Sequence, residues 1–281
     1  MSIHQIISGI IYLVSAFILF ILGKFVYDKL NKRFDLKTEL VERDNFALAI
    51  AMVGYYLGLV LAIGGVLMGP TFGLAEDLFD IFYFGIVAIL LINISAIIND
   101  KIILRKFDNV KEIIDDRNAG TGVIVGANHI ANGLIIGGAI SGQGGDLITA
   151  LAFWFLGQLI LILAVIIYNR ITPFDLHAEV EKDNVAVGVA VAGILIALGN
   201  VVRIGISGDF YSWGINLTQF LGFAVFGIIM LPIIRFFTDK ILLPGVKLTD
   251  ELVNQETPNI GAGAIEAIAY IAASMLLGWV V

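Results

Sequence analysis

Eight long apolar stretches alternate with short polar ones along the chain, at residues 6–27, 45–68, 78–98, 120–140, 147–168, 184–206, 215–237 and 259–281. Each matches the ~20 residues that a helix needs to cross a hydrocarbon core ~30 Å thick. The pattern predicts an all-α polytopic membrane protein with eight crossings. Pro232 in the seventh stretch and Glu266 in the eighth do not change this. Proline is tolerated in membrane helices, and one carboxylate does not cancel ~20 apolar neighbours.

The polar connections are of two kinds. Of the 17 Lys and Arg residues, all but Arg203 fall at 24–44, 100–117, 170–183 and 235–258, while the alternate connections at 69–78, 141–146 and 207–214 have none. Short basic loops stay on the cytoplasmic side, so the expected orientation has both termini outside and four like-oriented hairpins. The first stretch has no basic n-region and no small-residue cleavage site before Lys24, and is expected to be a retained helix rather than a signal peptide.

The hairpins repeat. Odd stretches end in Tyr27-Asp28-Lys29, Asn99-Asp100-Lys101, Tyr168-Asn169-Arg170 and Thr238-Asp239-Lys240. Shortly after come Phe34-Asp35, Phe107-Asp108, Phe174-Asp175 and the less faithful Val246-Lys247, then Glu39, Glu112, Glu179 and Glu251. Even stretches open with Asn45, Asn118, Asn184 and Asn259. Four copies of one unit in the same orientation imply parallel repeats.

With the signatures Glu42-Arg43-Asp44-Asn45-Phe46-Ala47 and Glu181-Lys182-Asp183-Asn184-Val185-Ala186, the chain resembles the bacterial inner-membrane family catalogued as domain of unknown function 350 (uncharacterised protein family 0719). The resemblance covers the whole chain as two four-helix modules, residues 1–142 and 143–281. It implies a bacterial inner-membrane location and no established activity, so it assigns no catalytic residue.

Composition narrows the function. The net charge of −7 argues against nucleic acid. With no cysteine there is no thiolate site or disulfide framework. Phosphate-binding and hydrolase motifs are missing, so no enzyme and no cofactor are expected. Expected partners are the lipid bilayer, with a second copy of the chain and a cytoplasmic protein as open alternatives. Even stretches are rich in Gly and Ala, odd ones in Leu, Ile and Phe. Small side chains let membrane helices approach closely, so the even helices are expected inside and the odd ones toward lipid.

Three sets of polar residues at membrane depth are candidates for a solute or ion pathway. Glu266 lies ~10 Å along its helix, on a face it can share with Asn259 and Tyr270. Asn128, His129 and Asn132 lie ~15–21 Å along theirs, near mid-membrane. A single His beside two Asn is too poor a ligand set for a metal. Arg203, with Asn200 one turn before it, falls near the outer interface, where Asp209, Asp146, Glu76 and Asp77 are candidate partners. Each group also has a structural reading, as helix-to-helix hydrogen bonding or as a side chain reaching water.

At the other interface, Asn45, Asn118, Asn184 and Asn259 read as N-caps, and Asp35, Asp108 and Asp175 as starts of short interfacial helices. The alternative gathers these asparagines with Glu39, Glu112, Glu179 and Glu251 into a cation-selecting ring at a cytoplasmic mouth. A cation or small-solute conduit and a non-transporting scaffold therefore both stand, the scaffold docking partners through its Phe-Asp segments; the family resemblance adds an envelope-stress accessory as a further expectation.

Overall fold

The computed structural model describes residues 3–281. Its helices are α1 (Ile3–Leu30), α2 (Phe46–Leu67), α3 (Leu74–Ile98), α4 (Asn109–Ile114), α5 (Ala119–Ala139), α6 (Leu147–Ile171), α7 (Leu176–Glu181), α8 (Val185–Ile206), α9 (Trp213–Phe237), α10 (Leu248–Val253) and α11 (Ile260–Val280). Eight of these are long and apolar enough to span a membrane: α1, α2, α3, α5, α6, α8, α9 and α11. The other three are the short interfacial turns before α5, α8 and α11. No strand occurs among the described residues.

The four even-numbered crossings stand side by side in one row, in the order α2, α5, α8, α11. Their glycines explain the row. A Cβ added to Gly54 would lie 2.2 Å from the Cα of Gly126, and one added to Gly65 would lie 2.3 Å from the Gly137 carbonyl. Backbone therefore meets backbone, an approach that only the smallest side chains permit. The odd crossings form a second layer: α3 lies against α2 and α5, α6 against α5 and α8, and α9 against α8 and α11, while α1 packs on α2 and α3. In their most apolar stretches 78% of α5 and of α8 is buried, against 17% of α1 and 22% of α9. Small residues line the seams of the row, and the lipid-facing surface is made of branched and aromatic ones such as Phe17 and Phe79. The α5–α8 contact, which joins the two four-helix modules, is also backbone to backbone, though slightly wider: a Cβ on Gly188 would lie 2.7 Å from the Gly120 carbonyl.

At the row's two ends the small residues give way. The outward face of α2 carries Val53 (56% exposed) and Val60 (55%), and that of α11 carries Ile268 (56%) and Trp279 (74%).

The end of the bundle that carries the basic connections is held by the repeated motif. Asn45, Asn118, Asn184 and Asn259 cap α2, α5, α8 and α11 by accepting from the backbone N–H of Leu48, Thr121, Val187 and Ala262. The side-chain amides of the first three also cross to the next unit, donating to the carbonyls of Ile113 (2.9 Å), Val180 (2.7 Å) and Leu252 (2.9 Å). Asp44, Arg117 and Asp183, just before these three caps, take left-handed φ values of 50°, 54° and 59°. Asp108 and Asp175 cap α4 and α7. They also form exposed ion pairs with Arg33 and Lys106 of the preceding unit. Burial pulls the Asp108 carboxyl upward, but Arg33 and the capped N–H groups outweigh it and hold it below the usual carboxylate range. Lys106 does the same for Asp175. At the opposite end, Phe210 N–H donates to the Gln143 carbonyl (2.7 Å) and Gln143 N–H to Asp209 Oδ1 (2.8 Å).

Gly126→Val should lower the unfolding free energy in detergent by about 2–3 kcal/mol, through overpacking. Gly222→Val, where an added Cβ meets nothing within 4 Å, should leave it unchanged. Thermal unfolding of the two variants makes the comparison. Single cysteines placed at Leu74 and Asp116 of this cysteine-free chain should label from opposite sides of the membrane, and labelling of both by one impermeant reagent would refute the arrangement.

Candidate functional site

Three polar clusters lie within the membrane-spanning layer, and the structure keeps them apart. The first is in the second module. Glu266, fully buried in α11, accepts from Arg235 Nη1 at 2.5 Å through Oε1 and from the Tyr168 hydroxyl at 3.1 Å through Oε2. The Tyr270 hydroxyl is shared between the Leu231 carbonyl (3.2 Å) and Glu266 Oε1 (3.4 Å). The guanidinium also donates to Tyr168 Oη (3.1 Å) and Thr249 Oγ1 (3.3 Å) and lies over the Tyr168 ring, 5.3 Å from its centroid. Glu266 is thus sealed by an opposite charge and two phenols.

Arg235 was not foreseen as this partner, because it sits at the edge of a basic connection. The depth arithmetic would have found it. The apolar span of α9 continues through a wide turn to Leu242, which puts Arg235 seven residues, or ~10 Å, from that end. Glu266 is equally far from Asn259.

The second cluster surrounds His129 on α5. A cavity of about 200 Å³ is lined there by Tyr27 and Asn31 of the first hairpin, by Asn93, Ala96 and Asp100 at the end of α3, by Asn109 and Val110 of α4, and by Val125 and His129. Asn109 Nδ2 donates to Asp100 Oδ1 at 2.7 Å. The ring of His129 meets Tyr55 edge-on at 5.2 Å between centroids. In two of the lining residues a polar atom, Asn109 Oδ1 and His129 Nδ1, is buried without a hydrogen-bond partner.

The third cluster is a ladder of amides. Asn132 Nδ2 donates to the Asn128 carbonyl (2.9 Å) and, more weakly, to its Oδ1 (3.3 Å), and Gln158 Nε2 of α6 donates to Asn132 Oδ1 (2.5 Å). One turn before Gln158, Trp154 Nε1 donates to Ser95 Oγ of α3 at 2.9 Å. The ladder ties α5 to α6, and the Trp–Ser bond ties α6 to α3.

Arg203 finds none of the four acidic partners expected for it. Its Nε donates to Asn200 Oδ1 at 2.9 Å, and Asn200 Nδ2 to Ser274 Oγ of α11 at 3.3 Å. Backbone N–H groups and a phenol have taken three of the carboxylates: Asp209 accepts from Gln143, Asp146 caps α6, and Asp77 accepts from Tyr12 and Phe72.

The asparagines and glutamates of the basic end do not close into a ring. They are strung along the row, with Asn45 and Asn259 at its two extremes. Each glutamate accepts from its own unit's asparagine: Glu39 at 3.3 Å, Glu112 at 3.0 Å, Glu179 at 3.1 Å and Glu251 at 2.7 Å. Glu39 and Glu112 are buried. Burial pushes the Glu112 carboxyl upward, against the pull of its Asn118 bond.

The family described as Domain of Unknown Function (DUF350) matches this chain twice, over residues 1–140 and 144–281. The chain belongs to that family. Among the relatives is a UPF0719 transmembrane protein of Aquifex aeolicus (strain VF5), 26% identical over 262 residues, which covers 91% of this chain and 94% of the relative. The UPF0719 transmembrane protein YshE of Bacillus subtilis (strain 168) is 26% identical over 132 residues, covering 47% of this chain but 92% of its own length. The Bacillus relative therefore has about the length of one module. No solved structure matches significantly. The chain is a multi-pass membrane protein in contact with the bilayer, built from two tandem copies of the module.

Breaking the buried pair from one side should be worse than removing it. Arg235→Met should cost about 3–5 kcal/mol, because it leaves a buried carboxylate unpaired. Adding Glu266→Leu to it should recover most of that loss, as read by denaturation in detergent.

Proposed function

We propose that this DUF350 protein is an inner-membrane conduit or carrier for a small cation, working through its first module and not as an enzyme. The observation that carries the reading is the cavity beside His129, whose lining includes Asp100 together with Asn31 and Asn109 of the basic connections. An anionic group in a low-dielectric cavity favours a cation. The amide ladder from Asn128 through Asn132 to Gln158 starts on the same helix, outside the cavity, and supplies further polar atoms toward α6. The backbone contacts along α2, α5, α8 and α11 leave no room between those helices, so a path would run between the row and the outer layer. The basic end is the cytoplasmic one in this reading.

A second reading, a non-transporting scaffold with a cytoplasmic or membrane partner, is favoured by the full pairing of Glu266. A carboxylate so enclosed has a sufficient structural role.

Ion flux into proteoliposomes separates the two. The purified chain should carry a small cation down an imposed gradient, and Asp100→Asn should slow this at least tenfold. Glu266→Gln should lower the melting temperature while leaving the rate near that of the parent. Folded protein that passes none of Na⁺, K⁺ and methylguanidinium would favour the scaffold.

A further inference from the structure

The two modules superpose in sequence at their turns: Tyr27 with Tyr168, Asn99-Asp100-Lys101 with Thr238-Asp239-Lys240, Phe107-Asp108 with Val246-Lys247, and Asn118 with Asn259. Carried along these registers, the buried ion-pair cluster of the second module has a defined counterpart in the first. Arg235 corresponds to Ala96, Glu266 to Val125, Tyr168 to Tyr27, Tyr270 to His129, and Thr249 to Val110. All five counterparts line the single cavity of about 200 Å³. Where the second module holds a guanidinium and its carboxylate, the first has Ala and Val. The second module also keeps an open space of about 340 Å³ at this register, but Arg235, Asp239 and Thr249 line it, whereas in the first Ala96 leaves the place of the guanidinium unfilled.

Of the groups that receive the guanidinium in the sister module the first-module cavity keeps the tyrosine, and in place of Glu266 and Thr249 it offers other acceptors. Tyr27 stands where the Tyr168 ring lies under Arg235, a geometry in which an aromatic face attracts a cation. The Asp100 carboxylate supplies the negative charge that Glu266 supplies to Arg235. Asn109 Oδ1 and His129 Nδ1 belong to side chains 5% and 1% exposed, and both atoms lack a partner. Buried polar atoms are normally satisfied; Asn109 Oδ1, and His129 Nδ1 in the tautomer protonated on Nε2, are acceptors in residues that line one cavity, and each would be satisfied by a donor brought by a ligand. A planar guanidinium offers five N–H donors in a fixed fork and no acceptor, and it stacks on aromatic rings. The volume lies below the ~300 Å³ of drug-sized pockets and suits a small ligand.

We propose that the first-module cavity binds a small guanidinium-type organic cation in the position that the Arg235 side chain fills in the second module. Asp100 takes its charge, the Tyr27 face stacks on it, and Asn109 with His129 accepts its remaining N–H groups. The inference rests on the reading of this cavity as a cation site, and adds the chemical class of the cation.

Titration calorimetry of methylguanidinium into the full-length protein in detergent tests it. The parent should bind one equivalent saturably, and Asp100→Asn should weaken binding at least tenfold. The double variant Ala96→Arg/Val125→Glu rebuilds the sister module's pair inside the cavity and should abolish binding while keeping a cooperative melting transition. If that variant fails to fold, Ala96→Leu serves as an apolar plug with the same expected loss. No saturable binding by the parent, binding unchanged by Asp100→Asn, or equal competition by Na⁺ and K⁺ would each overturn the proposal. Binding without flux in proteoliposomes would remove the conduit and leave this site standing. Flux of Na⁺ or K⁺ without methylguanidinium binding would do the reverse.

Discussion

The architecture depends on how closely α2, α5, α8 and α11 approach one another. Lipid tails are as apolar as leucine, so burial of apolar surface gives membrane helices little reason to associate. What remains is dispersion over a large, close contact, and glycine lets two helix backbones meet without side chains between them. Gly54 against Gly126 and Gly188 against Gly120 are such contacts. Once the row is fixed, its three grooves are filled by the Leu-, Ile- and Phe-rich α3, α6 and α9, and α1 packs on α2 and α3. The N-cap asparagines then set the axial register, since each of the first three is tied to a carbonyl of the next unit.

The same constraint decides where polar chemistry can sit. A row with backbone contact along its length has no central pore, so every ionisable group at depth lies between the row and the outer layer. There the two modules have diverged. One fills the deep part of the space with Arg235 and Glu266 and their phenolic partners, with an open space left beside Arg235 and Asp239. The other leaves it open beside Asp100 and His129. A buried ion pair seldom adds stability over a well-packed apolar alternative, so the second module's pair is best seen as one filling of a space that the fold provides twice.

Much of this was legible in the sequence. The eight crossings, the four repeats, the interfacial turns at Asp108 and Asp175 and the caps at the four asparagines follow from local rules of length, periodicity and hydrogen bonding. The membrane identity and the family follow from the same features. What local rules do not carry is which helices become neighbours. Four equivalent units can close into a ring or stand in a row, and the sequence period is the same in both. Of the acidic residues expected to pair with Arg203, Asp146 is taken by its own helix cap, which a spacing rule could reveal, but Asp209 and Asp77 are taken by Gln143, Tyr12 and Phe72, which none does. The Arg235–Glu266 pair joins residues 31 apart, and only equal depth from one interface connects them. The cavity is harder still, because it consists of side chains that are small: Ala96 and Val125 attract no notice until set beside Arg235 and Glu266.

The bulk at the two ends of the row limits how such an array can grow. Val53 and Val60 stand at the register positions that Gly126 and Gly133 occupy in α5, and Ile268 stands at the position of Gly193 in α8. A further copy added before α2 or after α11 would meet branched side chains where every internal seam has hydrogen, methyl or hydroxymethyl groups at those positions. Lengthening the array at its margins thus requires resculpting the terminal helices, whereas a module spliced between residues 140 and 144 would meet seams already cut for it.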